Sequence, residues 1–211
     1  MGIEVDIKEV VEEVGTEFEI IRLAGVISGE YLTTESNSQI TKPFIREFFL
    51  DASMPYDTEV VAGDIIRFPI DNRKFIVMNK TPEHFENIVV EQSVVLYKCN
   101  VSGEIQRFSG ETSWDSNYQM SGSWTTILGS GEEPRVCYGL LTEKLFGTEL
   151  LEKSDLGQIG IQADELYLPH SYGAEPLDRY VVASGEYLKI KTVEKRKYDN
   201  VDICSMEEDT R

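Results

Sequence analysis

Cysteine is scarce in this 211-residue chain: Cys99, Cys137 and Cys204 stand far apart, odd in number and without a CxxC pair. That spacing offers neither a disulfide framework nor a zinc-ligand set, and it suits a reducing compartment. Histidine is scarcer, with only His84 and His170. Both fall in loop-like sequence, KTPEHFEN and LPHSYG, with no GxSxG elbow or papain-like cysteine signature beside them, so they read as surface histidines rather than catalytic bases. Glu83, His84 and Glu86 could converge in a turn, but no further ligands are in view and no metal is expected. Phosphate-cradling loops are missing as well: GSGEE at 129–133 lacks the third glycine and the following Lys, and its carboxylates would repel phosphate. No run approaches about 18 consecutive apolar residues, which argues against a membrane span. The start, MGIEVDIKEVVEEVG, carries charges where a signal peptide has an apolar core, so the chain is expected to be made in cytoplasm.

Positive charge is also short. Against 38 Asp plus Glu there are 20 Lys plus Arg, a formal net charge of -18. Such a field disfavours sequence-reading contact with nucleic acid. It fits plain solubility, and it also fits the lining of a passage through which DNA slides without sticking. With so many acids, carboxylate pairs are inevitable, and none can be singled out for acid–base work.

What is present is a globular composition. Hydrophobic residues are 41% of the chain, with 10 Tyr and 9 Phe, too apolar for disorder, and a chain of this length buries roughly 70% of its unfolded surface without staples. One segment reads as helix: Ile3, Ile7, Val10, Val11 and Val14 recur at helical spacing, and Gly15 is placed to end it. The apolar stripe, with Ile7, Val10, Val11 and Val14 as docking residues, is expected to pack on the body or on a partner. The opposite face, with Glu4, Asp6, Glu9, Glu12 and Glu13, reads as solvated.

From Thr16 onward the pattern is of strands, at 17–24, 45–50, 64–70, 74–79 and 88–97, and again at 135–141, 158–168, 179–183, 186–193 and 201–206. Turns are marked by Asp71 with Asn72, Ser184 with Gly185, and Asp199 with Asn200. Between the two regions lies SGETSWDSNYQMSGSWTTILGSGEEP at 109–134, a long Ser- and Gly-rich stretch that nevertheless holds Trp114, Tyr118, Trp124 and Ile127. Loops of that length with aromatics are commonly functional. An internal similarity links GDIIRFPIDNRKFIVMNK at 63–80 with LDRYVVASGEYLKIKTVEK at 177–195, aligning Asp64 with Asp178 and Phe75 with Tyr187. Any two β-hairpins share such a pattern. If the match is real, the chain contains two barrels of related build.

LTTESNSQITKPFIREFFLDASMPYDTEVVAGDIIRF at 32–68, KFIVMNKTPEHFENIVVEQSVVLYKCN at 74–100 and GEYLKIKTVEKRKYDNVDICSMEEDTR at 185–211 resemble the neck, or head–tail connector, proteins of tailed bacteriophages, of the head-closure or stopper type. The resemblance implies a β-barrel subunit of the virion neck, assembled in the host cytoplasm. It would form a homo-oligomeric ring, hexameric or dodecameric, against the portal or adaptor ring and the tail proteins. Packaged double-stranded DNA would pass through without specific contact. No cofactor, metal or catalytic residue is implied, and no membrane. A channel-gating loop is implied, for which 109–134 is the candidate, with Trp114, Asp115, Tyr118, Trp124 and Ile127 as its residues. Deleting 114–127 is then expected to leave the barrels folded.

The expected fold is mainly β: one or two small SH3-like or OB-like barrels, a long inserted loop and a short N-terminal helix. The expected division is helix 1–15, first barrel 16–108, extended loop 109–134 and second β-rich region 135–211. Stopper, adaptor and tail-completion roles remain open. So do a tail terminator, tail-tube or capsid-surface protein, and an unrelated cellular β-domain binding module or enzyme.

Overall fold

The computed structural model of the chain describes residues 2–35, 49–109, 123–129, 131, 133–143 and 164–209. It is mainly β, with helix α1 (Ile3–Val14) followed, among these residues, by thirteen strands. Strands β1 (Thr16–Arg22), β2 (Gly25–Glu35), β3 (Phe49–Pro55), β4 (Ile65–Arg67), β5 (Lys74–Phe85) and β6 (Ile88–Lys98) close into a barrel in the order β1-β2-β3-β6-β5-β4. The rest are β7 (Val101–Ser109), β8 (Ser123–Leu128), β9 (Cys137–Glu143), β10 (Asp164–Pro169), β11 (Arg179–Val182), β12 (Tyr187–Tyr198) and β13 (Val201–Glu208). They form a sheet in the order β11-β12-β13-β10-β9-β7-β8, and β11 also pairs with β7, closing a second barrel with β8 outside the ring. Closure leaves few free strand edges.

The two barrels share one plan down to register. Thr16 pairs with Leu32 as Val101 pairs with Gly139. Ile21 pairs with Ile65 as Gln106 pairs with Arg179. Val77 pairs with Leu96 as Ile190 pairs with Met206, and the ladder then slips by one residue in each, at Met78 and at Lys191. This assigns Asp64 to Asp178, as the sequence suggested, but corrects the other match. Ile66 pairs with Phe75 and Tyr180 with Leu188, so Phe75 corresponds to Leu188 and Tyr187 to Lys74. By this register the turn joining β11 to β12 is one residue shorter than that joining β4 to β5, which moves the positions of β12 by one.

The internal boundary differs from the sequence reading. Residues 101–108, expected in the first barrel, are β7 of the second sheet, so the junction falls at Cys99 and Asn100. Residues 123–128 of the expected loop are strand β8, paired with β7 from Ser109–Ser123 to Ile105–Leu128. The second barrel divides what is β2 in the first into β8 and β9, with residues 129–136 between them.

Burial explains why one barrel reads as apolar runs and the other as alternation. Phe18, Ile20, Ile66, Phe75, Val77, Val94 and Leu96 fill the first barrel. Their neighbours Ile21, Ile65, Ile76 and Met78 point outward, yet they are buried too, in one cluster with the interior of the second barrel. A strand covered on both faces is apolar throughout. At the matching outward positions the second barrel carries Gln106, Arg179, Lys189 and Lys191, so its strands alternate. Inside it, Gly103 stands where the first barrel has Phe18. A Cβ there would lie 2.2 Å from the Val181 carbonyl oxygen and 3.1 Å from the Tyr180 ring. The buried Tyr180, in the position of Ile66, takes the space instead, donating its hydroxyl to the Cys137 carbonyl at 3.0 Å.

Helix α1 packs against β2, β3 and β6 of the first barrel. It has no side-chain cap, but Glu4 and Asp6 in its first turn complement the positive N-terminal end. At 12 residues it is too short to persist on propensity alone and depends on that packing.

Candidate functional site

Each barrel is locked by the same device. A residue with left-handed backbone, Gly63 at φ 87° or Leu177 at φ 75°, precedes an aspartate that opens the next strand. Arg22 donates Nε and Nη2 to the two Asp64 oxygens at 2.8 and 2.7 Å, and Arg107 does the same to Asp178 at 2.8 and 2.8 Å. Each aspartate also accepts from the backbone three residues earlier, Val61 N–H and Glu175 N–H, both at 2.9 Å. Both aspartates are buried, and their pairing with the guanidinium holds each arginine above its ordinary pKa. These are fork-to-fork pairs. Their partners are all internal, which makes them ties between strands β1 and β4, and β7 and β11.

Two long hairpin arms project from this frame, and their tips carry the same pattern of residues. The β5–β6 arm turns at Phe85, Glu86, Asn87 and Ile88, and the β12–β13 arm at Tyr198, Asp199, Asn200 and Val201. The second tip is seated: Val201 is buried with the junction cluster, Tyr198 packs against it, and the Asn200 carbonyl accepts from His170 N–H at 2.8 Å. Asn200 lies so close to Gly63 that a Cβ on the glycine would be 2.2 Å from its carbonyl oxygen. Among the described residues the first tip has no such seat. Phe85 is 51% exposed and Ile88 48%, with Glu83, His84 and Glu86 exposed around them.

Of the residues expected in a gating loop, Trp114, Asp115 and Tyr118 lie outside the described residues. Trp124 and Ile127 are in β8. Trp124 stacks on Arg179, whose Cζ lies 3.8 Å from the ring centre, and meets Phe108 edge-on at 5.4 Å. Arg179 is held from another side by Tyr187 at 5.0 Å and by Asp209, which accepts from its Nε at 2.6 Å. Ile127 is exposed. The helix stripe is split. Val11 is buried and Ile7 half-buried against the barrel, whereas Val10 and Val14 are 56% and 69% exposed.

The thiols of Cys99, Cys137 and Cys204 are pushed up to about 12 by burial, and all three are free. His170 Nδ1 lies 2.8 Å from the buried Asp202. Among the described residues no group of three or more His, Cys, Asp and Glu side chains is placed to hold a metal ion. No helix among them is long and apolar enough to cross a membrane.

Sequence reasoning missed the paired arm tips and the paired clamps. Both left a signal: Glu-Ile-Ile-Arg-Leu-Ala-Gly at 19–25 recurs as Glu-Ile-Gln-Arg-Phe-Ser-Gly at 104–110, and Phe-Glu-Asn-Ile at 85–88 as Tyr-Asp-Asn-Val at 198–201. It also passed over the concentration of Lys189, Lys191, Lys195, Arg196 and Lys197 on one strand of an otherwise acidic protein. Comparison of the chain with protein-family models, with curated proteins and with solved structures finds no match.

Proposed function

We propose that this chain is a structural subunit of the neck of a tailed bacteriophage. It builds a ring beneath the portal or adaptor, helps to retain packaged DNA and offers a surface to the tail. The observation that carries the reading is the exposed apolar tip of the β5–β6 arm, set on a barrel whose closed strands leave side chains, not edges, to make contact. The resemblance of residues 32–68, 74–100 and 185–211 to head-closure proteins supports it. The net charge of -18 supports the passage of DNA without adhesion. In this reading the work is done by contact.

The test is electron microscopy of particles assembled without this chain. Heads that lose their DNA and lack tails are the expected result. Full, tailed particles would exclude a neck role.

A further inference from the structure

The seated tip of the β12–β13 arm marks a surface on the first barrel. That surface is apolar: Gly63 beneath Asn200, with Ile21, Ile65, Ile76 and Met78 beside it. The shared register locates the matching surface on the second barrel, where Leu177 takes the place of Gly63 and the outward residues of β11 and β12 are Arg179, Lys189 and Lys191. Here Trp124 and Asp209 cover Arg179, while Leu177, Tyr187 and Lys191 stay exposed. Leu177 is 61% exposed, held outward by a left-handed backbone that a leucine rarely adopts, and Tyr187 is exposed beside the lysines. Lys189 and Lys191 share one acid, Glu207, at 2.9 and 3.1 Å, so this trio carries one positive charge in excess, while Glu186, Glu208 and Asp209 lie near Tyr187.

Among the described residues, then, one arm tip has no seat and one seat has no tip. The tip is apolar and flanked by Glu83 and Glu86. The seat presents Leu177 and Tyr187 among Lys189 and Lys191. We infer that the Phe85–Ile88 tip of one copy docks on the β11–β12 face of a second copy, repeating between chains the contact that joins the two barrels within one.

A strict repeat is blocked, because a side chain at the Gly63 position collides with the incoming turn. The tip must sit beside Leu177 rather than over it, with its acids toward the lysines. The internal contact is apolar and permanent. The external one is part charged, hence reversible and weakened by salt. Tip and seat are different surfaces, so the contact is heterologous and propagates until it closes into a ring or extends as a filament. It is the contact through which the ring of the proposed function would close. For the ring it rests on that reading, but the pairwise contact does not.

Sedimentation velocity of the purified full-length chain, at low salt and up to millimolar concentration, tests the inference. The wild type is expected to associate beyond the dimer and to dissociate as salt is raised. Phe85→Ser/Ile88→Ser loses the tip and Lys189→Glu/Lys191→Glu loses the seat, and each alone should sediment as a monomer. All four positions are at the surface, and unchanged circular dichroism checks that the fold survives. Leu177→Gly, which relieves the backbone, should weaken association at least tenfold without threatening the fold. Mixed in equal amounts, the two double variants should give dimers and nothing larger, since each supplies the half the other lacks. A wild type monomeric throughout, variants that associate as well as the wild type, or a mixture that stays monomeric would each overturn the proposal. So would wild-type monomers whose lysine face instead binds duplex DNA. Association with this pattern in a protein whose removal leaves full, tailed particles would retain the contact and discard the neck.

Discussion

Asp64 and Asp178 occupy one position in two barrels, and each satisfies an arginine fork and a backbone N–H at once. Removing either buried carboxylate leaves an arginine fork and a backbone N–H without their common partner, which costs more than a surface ion pair is worth. Asp64→Ala and Asp178→Ala are each expected to lower unfolding stability by about 2–4 kcal/mol, measured by urea melts. The residue before the aspartate separates the barrels more sharply. Gly63→Ala adds a Cβ 2.2 Å from the Asn200 carbonyl oxygen at a φ of 87°, and should cost roughly 2–4 kcal/mol by strain and by lifting the arm from its seat. Leu177→Gly, at the matching position, relieves a left-handed leucine and gives up chain entropy in exchange, so its folding stability should stay within about 1 kcal/mol of the wild type. A side chain at this place in the plan is thus excluded in the first barrel, where Asn200 fills the seat, and tolerated in the second.

At the scale of elements, α1 was legible from the sequence and the use of its face was not. Helical spacing groups Ile3, Ile7, Val10, Val11 and Val14, but a single barrel surface can cover only part of so wide a stripe, and the contact is made through Val11 and Ile7. Val11→Asp is expected to cost about 3 kcal/mol or more, as a buried unpaired charge does, while Val10→Asp and Val14→Asp stay within about 0.5 kcal/mol in thermal melts. Strands buried on both faces announced themselves by the apolar residues at 65–66 and 75–78. β2, β7 and β8 did not: Gly25, Gly29 and Gly103 interrupt the first two, and β8 is the six residues Ser-Trp-Thr-Thr-Ile-Leu within a turn-like stretch. The position of Trp124 changes one expectation outright. Deleting 114–127 removes most of β8 and the ring that covers Arg179, so the second barrel should be destabilised rather than left intact.

At the scale of the molecule, the barrels are joined by apolar packing and by one charged knot. Glu133, just before β9, accepts from the Tyr138 hydroxyl at 2.6 Å and pairs with Arg67 and, at 3.6 Å, with Lys74 of the first barrel. Burial works to raise the Glu133 carboxyl, but the tyrosine hydroxyl and the two cations outweigh it and hold the pKa below the ordinary 4.5. The unfolded chain therefore takes up this proton first. The stabilisation is present in full above about 4.5 and is lost as pH falls through the lower folded value. Glu133→Gln should flatten that part of the acid limb of a stability-against-pH curve. Pairing over such separations, like the closure of each barrel, leaves no local pattern in the sequence, whereas the repeat of registers was half visible and slipped by one residue for want of the turn length.

Two complementary surfaces at opposite steps of a repeated plan are the proposed working parts of this protein. Amide hydrogen exchange, compared between dilute and concentrated low-salt solutions, reads those surfaces directly. Added protection is expected at residues 83–89 and 187–191 together, with α1 unchanged. Protection confined to α1, or no change at either site on concentration, would contradict this proposal.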